Sequence, residues 1–215
     1  MTTQADLFVK ICGITALSDA VHAVEHGATA LGFVFWPPSP RCISPERAAA
    51  IAAALRPGVQ TVGVFVNEGV DGIRRVAEQT GITMIQLHGD EPASYADELA
   101  WPVLRATTVE SIERTAAAWP AETTFVMDAL DPVLRGGTGR TVDWGRAAEA
   151  ARSWRIVLAG GLTPDNVAEA VDTVRPFGVD VSSGVEDAPG VKNGDKVARF
   201  LASARRGAGG AGGER

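Results

Sequence analysis

Cysteine is scarce in this chain, and long apolar runs are missing. Cys12 and Cys42 are the two cysteines, so there is neither a disulfide framework nor a Cys-x-x-Cys metal pair. The three histidines lack the spacing of a zinc site. No apolar stretch approaches the roughly 20 residues of a membrane span. The N-terminus has no basic segment followed by an apolar one, so we expect no signal peptide. These absences favour a cytoplasmic globular protein without a metal.

Positive charge is also in the minority. The 215 residues include 20 Lys and Arg against 26 Asp and Glu, a net charge of −6. That balance argues against nucleic acid as the main partner, although it leaves room for a small anion bound in a local pocket. Hydrophobic residues make up 46% and charged residues 21%, which excludes an intrinsically disordered chain. A chain of this length buries roughly 70% of its unfolded surface and needs no metal or disulfide to fold.

Short β-type runs recur along the chain. Most are continuously apolar rather than alternating, which is typical of strands covered on both faces in a parallel sheet. Helical segments separate them, so that one strand and one helix recur about every 24 residues. The predicted strands lie at residues 7–13, 30–35, 60–66, 84–89, 102–107, 124–129, 155–161 and 178–184.

Eight such units predict an α/β protein with a single (β/α)8 TIM barrel over residues 1–206. The main alternative is an open doubly wound sheet, whose dinucleotide-binding form has a Gly-rich turn after the first strand. The first strand here ends in KICGIT, with a single glycine. A GxGxxG pattern at Gly207, Gly209 and Gly212 has no strand before it, so we expect residues 207–215 to be a disordered Gly-rich tail.

Helix ends are marked by a few residues. A Ser or Thr followed by Pro predicts helix starts at Ser44 and Thr163, and a glycine predicts a helix end at Gly81. The corresponding helices are expected over residues 44–55, 163–174 and 70–81.

One long irregular stretch separates the sixth predicted strand from the helix that starts at Asp143. Long loops on the active-site face of a barrel often act as lids. We therefore expect residues 130–142 to close over the site, the alternative being a tolerated surface loop.

The active site of a (β/α)8 barrel lies at the carboxyl ends of its strands. Cys12 ends the first predicted strand and Asp128 ends the sixth. A thiol whose pKa is lowered by its surroundings can act as a base, and a carboxyl group whose pKa is raised by burial can act as an acid. The alternative for Cys12 is a small buried hydrophobic residue. An aspartate after three apolar residues rarely serves packing.

An anion site is predicted at two neighbouring loops. Gly160 and Gly161 follow the seventh strand, and Ser183 and Gly184 follow the eighth. In this fold the loops after these strands usually bind phosphate through backbone N–H groups. The alternative is that these residues only form turns and helix caps.

Further polar residues fall at strand ends or in the loops that follow. Arg41 lies after the second strand, where its fork can hold a carboxylate or be solvated. Gln86 and His88 end the fourth strand, His88 being either a proton carrier or a polar strand end, and Asp180 lies in the eighth. Each is a candidate for contact with a substrate.

Lys10 stands two residues before Cys12, so both side chains point to the same face of the strand. Lys10 then lies one layer deeper in the barrel, where a buried ammonium needs a carboxylate. Asp180 is the candidate partner, because the eighth strand closes the barrel beside the first. We expect the pair to fix Cys12 and help set its pKa. The alternative is a Lys10 that reaches solvent at the bottom of the barrel.

The chain resembles the phosphoribosylanthranilate isomerase family in seven segments, which occur in the family's order. The matches run from residue 9 to about residue 201, nearly the whole chain. Each segment is weak alone, but as a set they are highly specific. They are KICGIT, GFVFWPPSPRCIS, QLHGDE, VMDA, GGTGRTVDW, AGGLTPDNVAEAV and VDVSSGVEDAPGVKNGDKVARF.

The resemblance implies a (β/α)8 barrel that performs an Amadori rearrangement of a phosphoribosyl substrate without a cofactor. It assigns the general base to Cys12, the general acid to Asp128 and the anthranilate carboxylate to Arg41. It places the substrate's phosphate at the loops with Gly160, Gly161, Ser183 and Gly184. The valine of GGTGRTVDW stands where the family more usually has phenylalanine, which concerns the expected lid.

Two other functions remain open. The histidine-pathway aminoimidazole carboxamide ribotide isomerase runs the same chemistry but has Asp at the position of Cys12, which also disfavours a dual-specificity enzyme. A non-catalytic phosphosugar sensor would have no reason to place an acid and a base at different strand ends. The expected partner is a small phosphosugar, with no nucleic acid and no membrane. We expect a monomer, with a homodimer possible.

Overall fold

The computed structural model describes residues 7–129 and 142–209. Within these ranges eight parallel strands close into a barrel in chain order, alternating with helices, which confirms the predicted TIM barrel. The strands are β1 (Phe8–Cys12), β2 (Ala30–Val34), β3 (Gln60–Phe65), β4 (Met84–Leu87), β5 (Val103–Thr107), β6 (Thr124–Met127), β7 (Ile156–Leu158) and β8 (Gly178–Val181). The helices are α1 (Leu17–Glu25), α2 (Pro45–Ala53), α3 (Val70–Thr80), α4 (Tyr95–Glu98), α5 (Ile112–Ala118), α6 (Trp144–Ala151), α7 (Val167–Val174) and α8 (Gly194–Gly209).

The apolar runs form strands that are covered on both faces. Every residue of β2 and of β8 is buried, as the continuous apolar patterns predict. One face packs inside the barrel, where Val62, Leu104 and Val157 belong to a small apolar cluster. The other face packs against the helices in a much larger cluster. Among the described residues, no helix is both long and apolar enough to cross a membrane.

Two of the predicted helix ends are confirmed. Ser44 caps α2, its hydroxyl oxygen accepting a hydrogen bond from the Arg47 amide at 3.4 Å, and Pro45 is the first helical residue. Gly81 ends α3 in the left-handed conformation, with φ of 65°.

The predicted start of α7 at Thr163 is wrong. The helix begins at Val167, because the preceding residues form a turn. In that turn the Asn166 side-chain oxygen accepts a hydrogen bond from the Thr163 amide at 2.7 Å. The Thr163 hydroxyl also accepts a bond within this turn, from the Asp165 amide at 3.3 Å.

The C-terminal region differs from the prediction in two ways. A 3-10 turn (Ser183–Val185) and a short antiparallel hairpin of β9 (Glu186–Ala188) and β10 (Val191–Lys192) follow β8 and were not predicted. The tail predicted from residue 207 is also wrong at its start, because α8 continues to Gly209. A Cβ at Gly207 would press on the Ala168 carbonyl oxygen, so glycine lets α8 approach α7.

Two predicted segments fall largely outside the described residues. The expected lid over residues 130–142 does so except for Val142, which is buried. Residues 210–215 of the predicted tail also lie outside.

Candidate active site

A cavity of about 510 Å³ opens at the carboxyl ends of the barrel strands. The ten residues predicted from the sequence to form the site all line it. They are Cys12, Arg41, Gln86, His88, Asp128, Gly160, Gly161, Asp180, Ser183 and Gly184. The barrel therefore brings together residues that lie up to 172 positions apart in the sequence, from Cys12 to Gly184.

Cys12 and Asp128 enter this cavity from different strands. Cys12 is the last residue of β1, and Asp128 directly follows β6, where its amide donates to the Thr107 carbonyl oxygen at 3.0 Å. Both side chains are buried, with 9% and 7% of their residue surfaces exposed. Gly32, beside Cys12 on β2, makes room for the thiol, since a Cβ there would lie 2.8 Å from the Cys12 Sγ.

Lys10 and Asp180 form a buried ion pair below Cys12. The Lys10 Nζ lies 2.8 Å from the Asp180 Oδ2, and Lys10 is completely buried. Strands β1 and β8 pair in a register that sets these two residues opposite each other. The pairing expected from side-chain alternation and barrel closure is therefore confirmed.

Burial raises the pKa of the Cys12 thiol above its ordinary value. The ammonium groups of Lys10 and Lys192 act in the opposite direction and lower this pKa, whereas the Asp180 charge raises it. The contribution of Lys10 has the expected sign. The broader expectation that the surroundings bring the pKa of the thiol down is wrong, because the loss of water outweighs the nearby cations.

Asp128 follows the prediction for an acid. Burial, together with the charge of Asp180, raises the pKa of its carboxyl group from 3.8 to about 6. A hydrogen bond from the Ala129 backbone and the charge of Lys10 oppose this rise. A carboxyl group with such a pKa exchanges protons readily near neutral pH.

Gln86 and His88 form a polar pair beside the acid. The Gln86 Nε2 donates to the His88 Nδ1 at 2.9 Å, so the neutral ring carries its proton on Nε2. That nitrogen lies 3.7 Å from the Asp128 Oδ2. Gln86 thereby turns the ring of His88 toward the carboxyl group.

Arg41 lies in the cavity wall, but part of its fork is occupied. Its Nε and Nη2 donate to the Glu186 carboxylate at 2.9 and 2.8 Å. The guanidinium edge formed by Nε and Nη2 therefore binds a carboxylate of the chain itself. Glu186 was not predicted from the sequence, because its partner Arg41 lies 145 residues away and no periodic pattern connects the two.

The loops after β7 and β8 meet at the cavity, where the sequence predicts that phosphate binds. Gly160 and Gly161 have φ of 74° and 64°, and no described residue accepts a hydrogen bond from their amides. The Asn166 side chain holds this loop by donating to the Gly161 carbonyl oxygen at 3.0 Å. A Cβ at Gly184 would collide with the Leu162 carbonyl oxygen, so only glycine allows the loops this contact. The arrangement suits an anion bound by backbone N–H groups.

Comparison with known proteins gives consistent matches along the chain. The family model of N-(5'phosphoribosyl)anthranilate (PRA) isomerase matches residues 9–203. The N-(5'-phosphoribosyl)anthranilate isomerase of Citrifermentans bemidjiense is 50% identical over 92% of this chain and 97% of its own length. The crystal structure of phosphoribosyl anthranilate isomerase from Thermotoga maritima is 43% identical, covers 93% of this chain and 98% of its own, and gives a TM-score of 0.86. A further isomerase structure, in complex with reduced 1-(o-carboxyphenylamino)-1-deoxyribulose 5-phosphate, is 42% identical with a TM-score of 0.83 and the same coverage.

Proposed function

The chain belongs to the N-(5'-phosphoribosyl)anthranilate isomerase family, and on this premise we propose how its cavity carries out the reaction. The reaction converts N-(5'-phosphoribosyl)anthranilate to 1-(o-carboxyphenylamino)-1-deoxyribulose 5-phosphate, a step of tryptophan biosynthesis. The observation that carries the proposal is the placement of Cys12 and Asp128 in one buried cavity, with the pKa of the Asp128 carboxyl raised to about 6.

Asp128 is the general acid. It donates its proton to the ribose ring oxygen, so that the bond from this oxygen to C1 breaks and an iminium forms between C1 and the anthranilate nitrogen. The position of His88 beside the carboxyl group supports this role, since its Nε2 faces Asp128.

Cys12 is the general base. The iminium makes the proton on C2 acidic, and the Cys12 thiolate removes it to give an enolamine, which tautomerises to the ketone product. The thiol has a raised pKa, whereas Asp128 ionises near pH 6, so the reacting thiolate and carboxylic acid coexist in a small fraction of the free enzyme at neutral pH. Lys10 and Lys192 increase that fraction by lowering the pKa of the thiol.

The substrate is a small phosphosugar with an anionic group at each end. Its phosphate binds the amides of the loops with Gly160, Gly161 and Gly184, and its anthranilate carboxylate binds Arg41. Binding at both ends stretches the substrate across the cavity and orients the ribose between acid and base.

The test is turnover of phosphoribosylanthranilate, followed as the loss of its anthranilate-type fluorescence. Cys12→Ser and Asp128→Asn should each lower turnover by about two to four orders of magnitude, the usual contribution of a positioned proton carrier. Cys42→Ser is the matched control, because Cys42 is an exposed free thiol and should tolerate the change. Retention of more than about a tenth of the activity would refute the role of the residue replaced.

A further inference from the structure

Three charged residues form a cluster that reaches the cavity through Arg41, and we call it the Glu186 clamp: Arg41, Glu186 and Lys192. The Glu186 carboxylate accepts hydrogen bonds from the Arg41 Nε and Nη2 on one side. On the other side its Oε1 accepts from the Lys192 Nζ at 2.7 Å. The side chains of Glu186 and Lys192 are 4% and 1% exposed, so both charges are buried.

The hairpin of β9 and β10 builds this clamp. Glu186 is the first residue of β9 and Lys192 the last of β10, so the hairpin turn brings them together. The turn is tied to the loop after β1, where the Thr15 hydroxyl donates to the Gly190 carbonyl oxygen at 2.6 Å. Strand β10 is tied to α1 by a hydrogen bond from the Lys192 amide to the Asp19 carboxylate at 3.2 Å. The hairpin that carries Glu186 is therefore fixed to two neighbouring parts of the barrel.

Arg41 is held at its guanidinium group and along its aliphatic stem. The guanidinium is planar, and two donors of one edge bind the same carboxylate, which fixes its plane. Its aliphatic stem lies against Gly13, where a Cβ would approach the Arg41 Cδ to 2.7 Å. The remaining nitrogen, Nη1, belongs to the part of the fork that Glu186 does not engage.

Lys192 keeps the clamp cationic. Arg41 and Glu186 alone would sum to zero charge and attract an anion weakly. The buried ammonium of Lys192 gives the three side chains a net charge of +1. The same ammonium also donates to the Ser182 carbonyl oxygen at 3.3 Å, so it links the clamp to the loop after β8.

We propose that Glu186 is a positioning residue, which orients Arg41 for the aromatic carboxylate of the substrate while Lys192 preserves the positive charge. This inference rests on the proposed function, because it presumes that Arg41 binds that carboxylate. It assigns to the hairpin after β8 a role in recognising the end of the substrate opposite its phosphate.

The test compares two inhibitors: reduced 1-(o-carboxyphenylamino)-1-deoxyribulose 5-phosphate and the same compound without the ring carboxylate. The quantity measured is the inhibition constant of the compound without the carboxylate divided by that of the compound with it. In Glu186→Gln the clamp gains net positive charge but loses the carboxylate that orients Arg41. The proposal therefore expects this ratio to fall by about tenfold or more, whereas charge alone would raise it. An unchanged or increased ratio would overturn the proposal.

Glu186→Asp provides a second variant if the glutamine variant folds poorly. It keeps the negative charge but is shorter by one methylene, so it cannot bind Arg41 and Lys192 as Glu186 does. The ratio should fall here as well, while inhibition by inorganic phosphate, which reports a folded barrel, should stay within about twofold. A full wild-type ratio in Glu186→Asp would show that charge rather than position matters.

Two controls separate this inference from its premise. Glu91→Gln breaks another buried arginine–carboxylate pair, in which the Arg105 Nη1 lies 2.7 Å from the Glu91 Oε2, away from the cavity wall. It should lower thermal stability and leave the ratio unchanged. Arg41→Ala should abolish the discrimination between the inhibitors. If it does not, the proposed role of Arg41 is wrong. If it does and the Glu186 variants keep the wild-type ratio, only the positioning role fails.

Discussion

Asp128, the proposed general acid, also carries a cost in stability. A carboxyl group whose pKa in the folded protein is raised to about 6 is harder to ionise there than in the unfolded chain, whose ordinary value is 3.8. The folded state therefore binds the proton more tightly. The stabilisation of the fold by this tighter proton binding is fully present below about pH 4 and is lost as the pH rises through about 6. Above that pH the buried negative charge of Asp128 destabilises the folded state.

Replacing this residue should make the protein more stable while it inactivates the enzyme. The rise from 3.8 to about 6 corresponds to about 3 kcal/mol at most, so Asp128→Asn should gain about 1 to 3 kcal/mol near pH 8. The gain should vanish near pH 4. Urea unfolding at the two pH values measures it. Asp172→Asn, which removes an exposed carboxylate on α7, is the control for loss of a negative charge and should gain no comparable stability near pH 8. A variant less stable than the wild type near pH 8 would contradict this account.

Residue contacts differ in how far the sequence predicts them. The Lys10–Asp180 pair was predictable because both residues lie on strands, where alternation fixes the direction of each side chain and closure fixes which strands are neighbours. The Arg41–Glu186 pair was not, because Arg41 lies in the loop between β2 and α2, and Glu186 follows a loop and begins a strand of only three residues. A loop has no period from which the direction of a side chain can be derived.

Among the elements, the loops after β7 and β8 depend on each other. Gly184 allows the second loop to touch the backbone of the first at Leu162, and the glycines of the first loop hold left-handed conformations. An anion bound between them requires both loops in place. A single added methyl group at the contact should therefore disturb anion binding more than it disturbs the barrel.

Gly184→Ala should raise the inhibition constant of inorganic phosphate by about tenfold or more, because the added Cβ pushes the loops apart. Competition of phosphate with the substrate measures this effect. Gly81→Ala is the matched control: its φ of 65° makes alanine strained, but nothing lies near the added Cβ. It should cost about 1 kcal/mol of stability and leave phosphate inhibition unchanged. Equal effects of the two variants on phosphate would argue against the anion site.

Helices and strands with a regular sequence pattern were predicted correctly, and those without one were missed or misplaced. Most of the eight barrel strands are continuously apolar, and all eight were found, while α2 and α3 carry clear end signals. The hairpin of β9 and β10 was missed because its strands have three and two residues, too few to show a period. The start of α7 was placed too early because residues 163–166 form a turn, in which the Asn166 side chain accepts a bond from the Thr163 amide.

At the scale of the whole molecule, the Lys10–Asp180 pair lies at the seam where β8 returns to β1 and closes the barrel. It acts on both of the proposed catalytic groups, Cys12 and Asp128, at once. Lys10 lowers the pKa of Cys12 more than Asp180 raises it, and Asp180 raises the pKa of Asp128 more than Lys10 lowers it. The pair thus brings the pKa values of base and acid closer together, which enlarges the reactive fraction of the enzyme.

The contribution of the Lys10–Asp180 pair to stability should therefore be separable from its effect on the pKa of Cys12. Lys10→Met leaves Asp180 as an unpaired buried charge and should cost about 3 to 5 kcal/mol, whereas Lys10→Met with Asp180→Asn should regain most of that stability. Both should still raise the pKa of Cys12, because the net influence of the pair is to lower it. The rate of Cys12 alkylation by iodoacetamide against pH measures this pKa in a Cys42→Ser background, which removes the other free thiol. A stable double variant with the alkylation profile and turnover of the Cys42→Ser parent would show that the pair serves only to close the barrel.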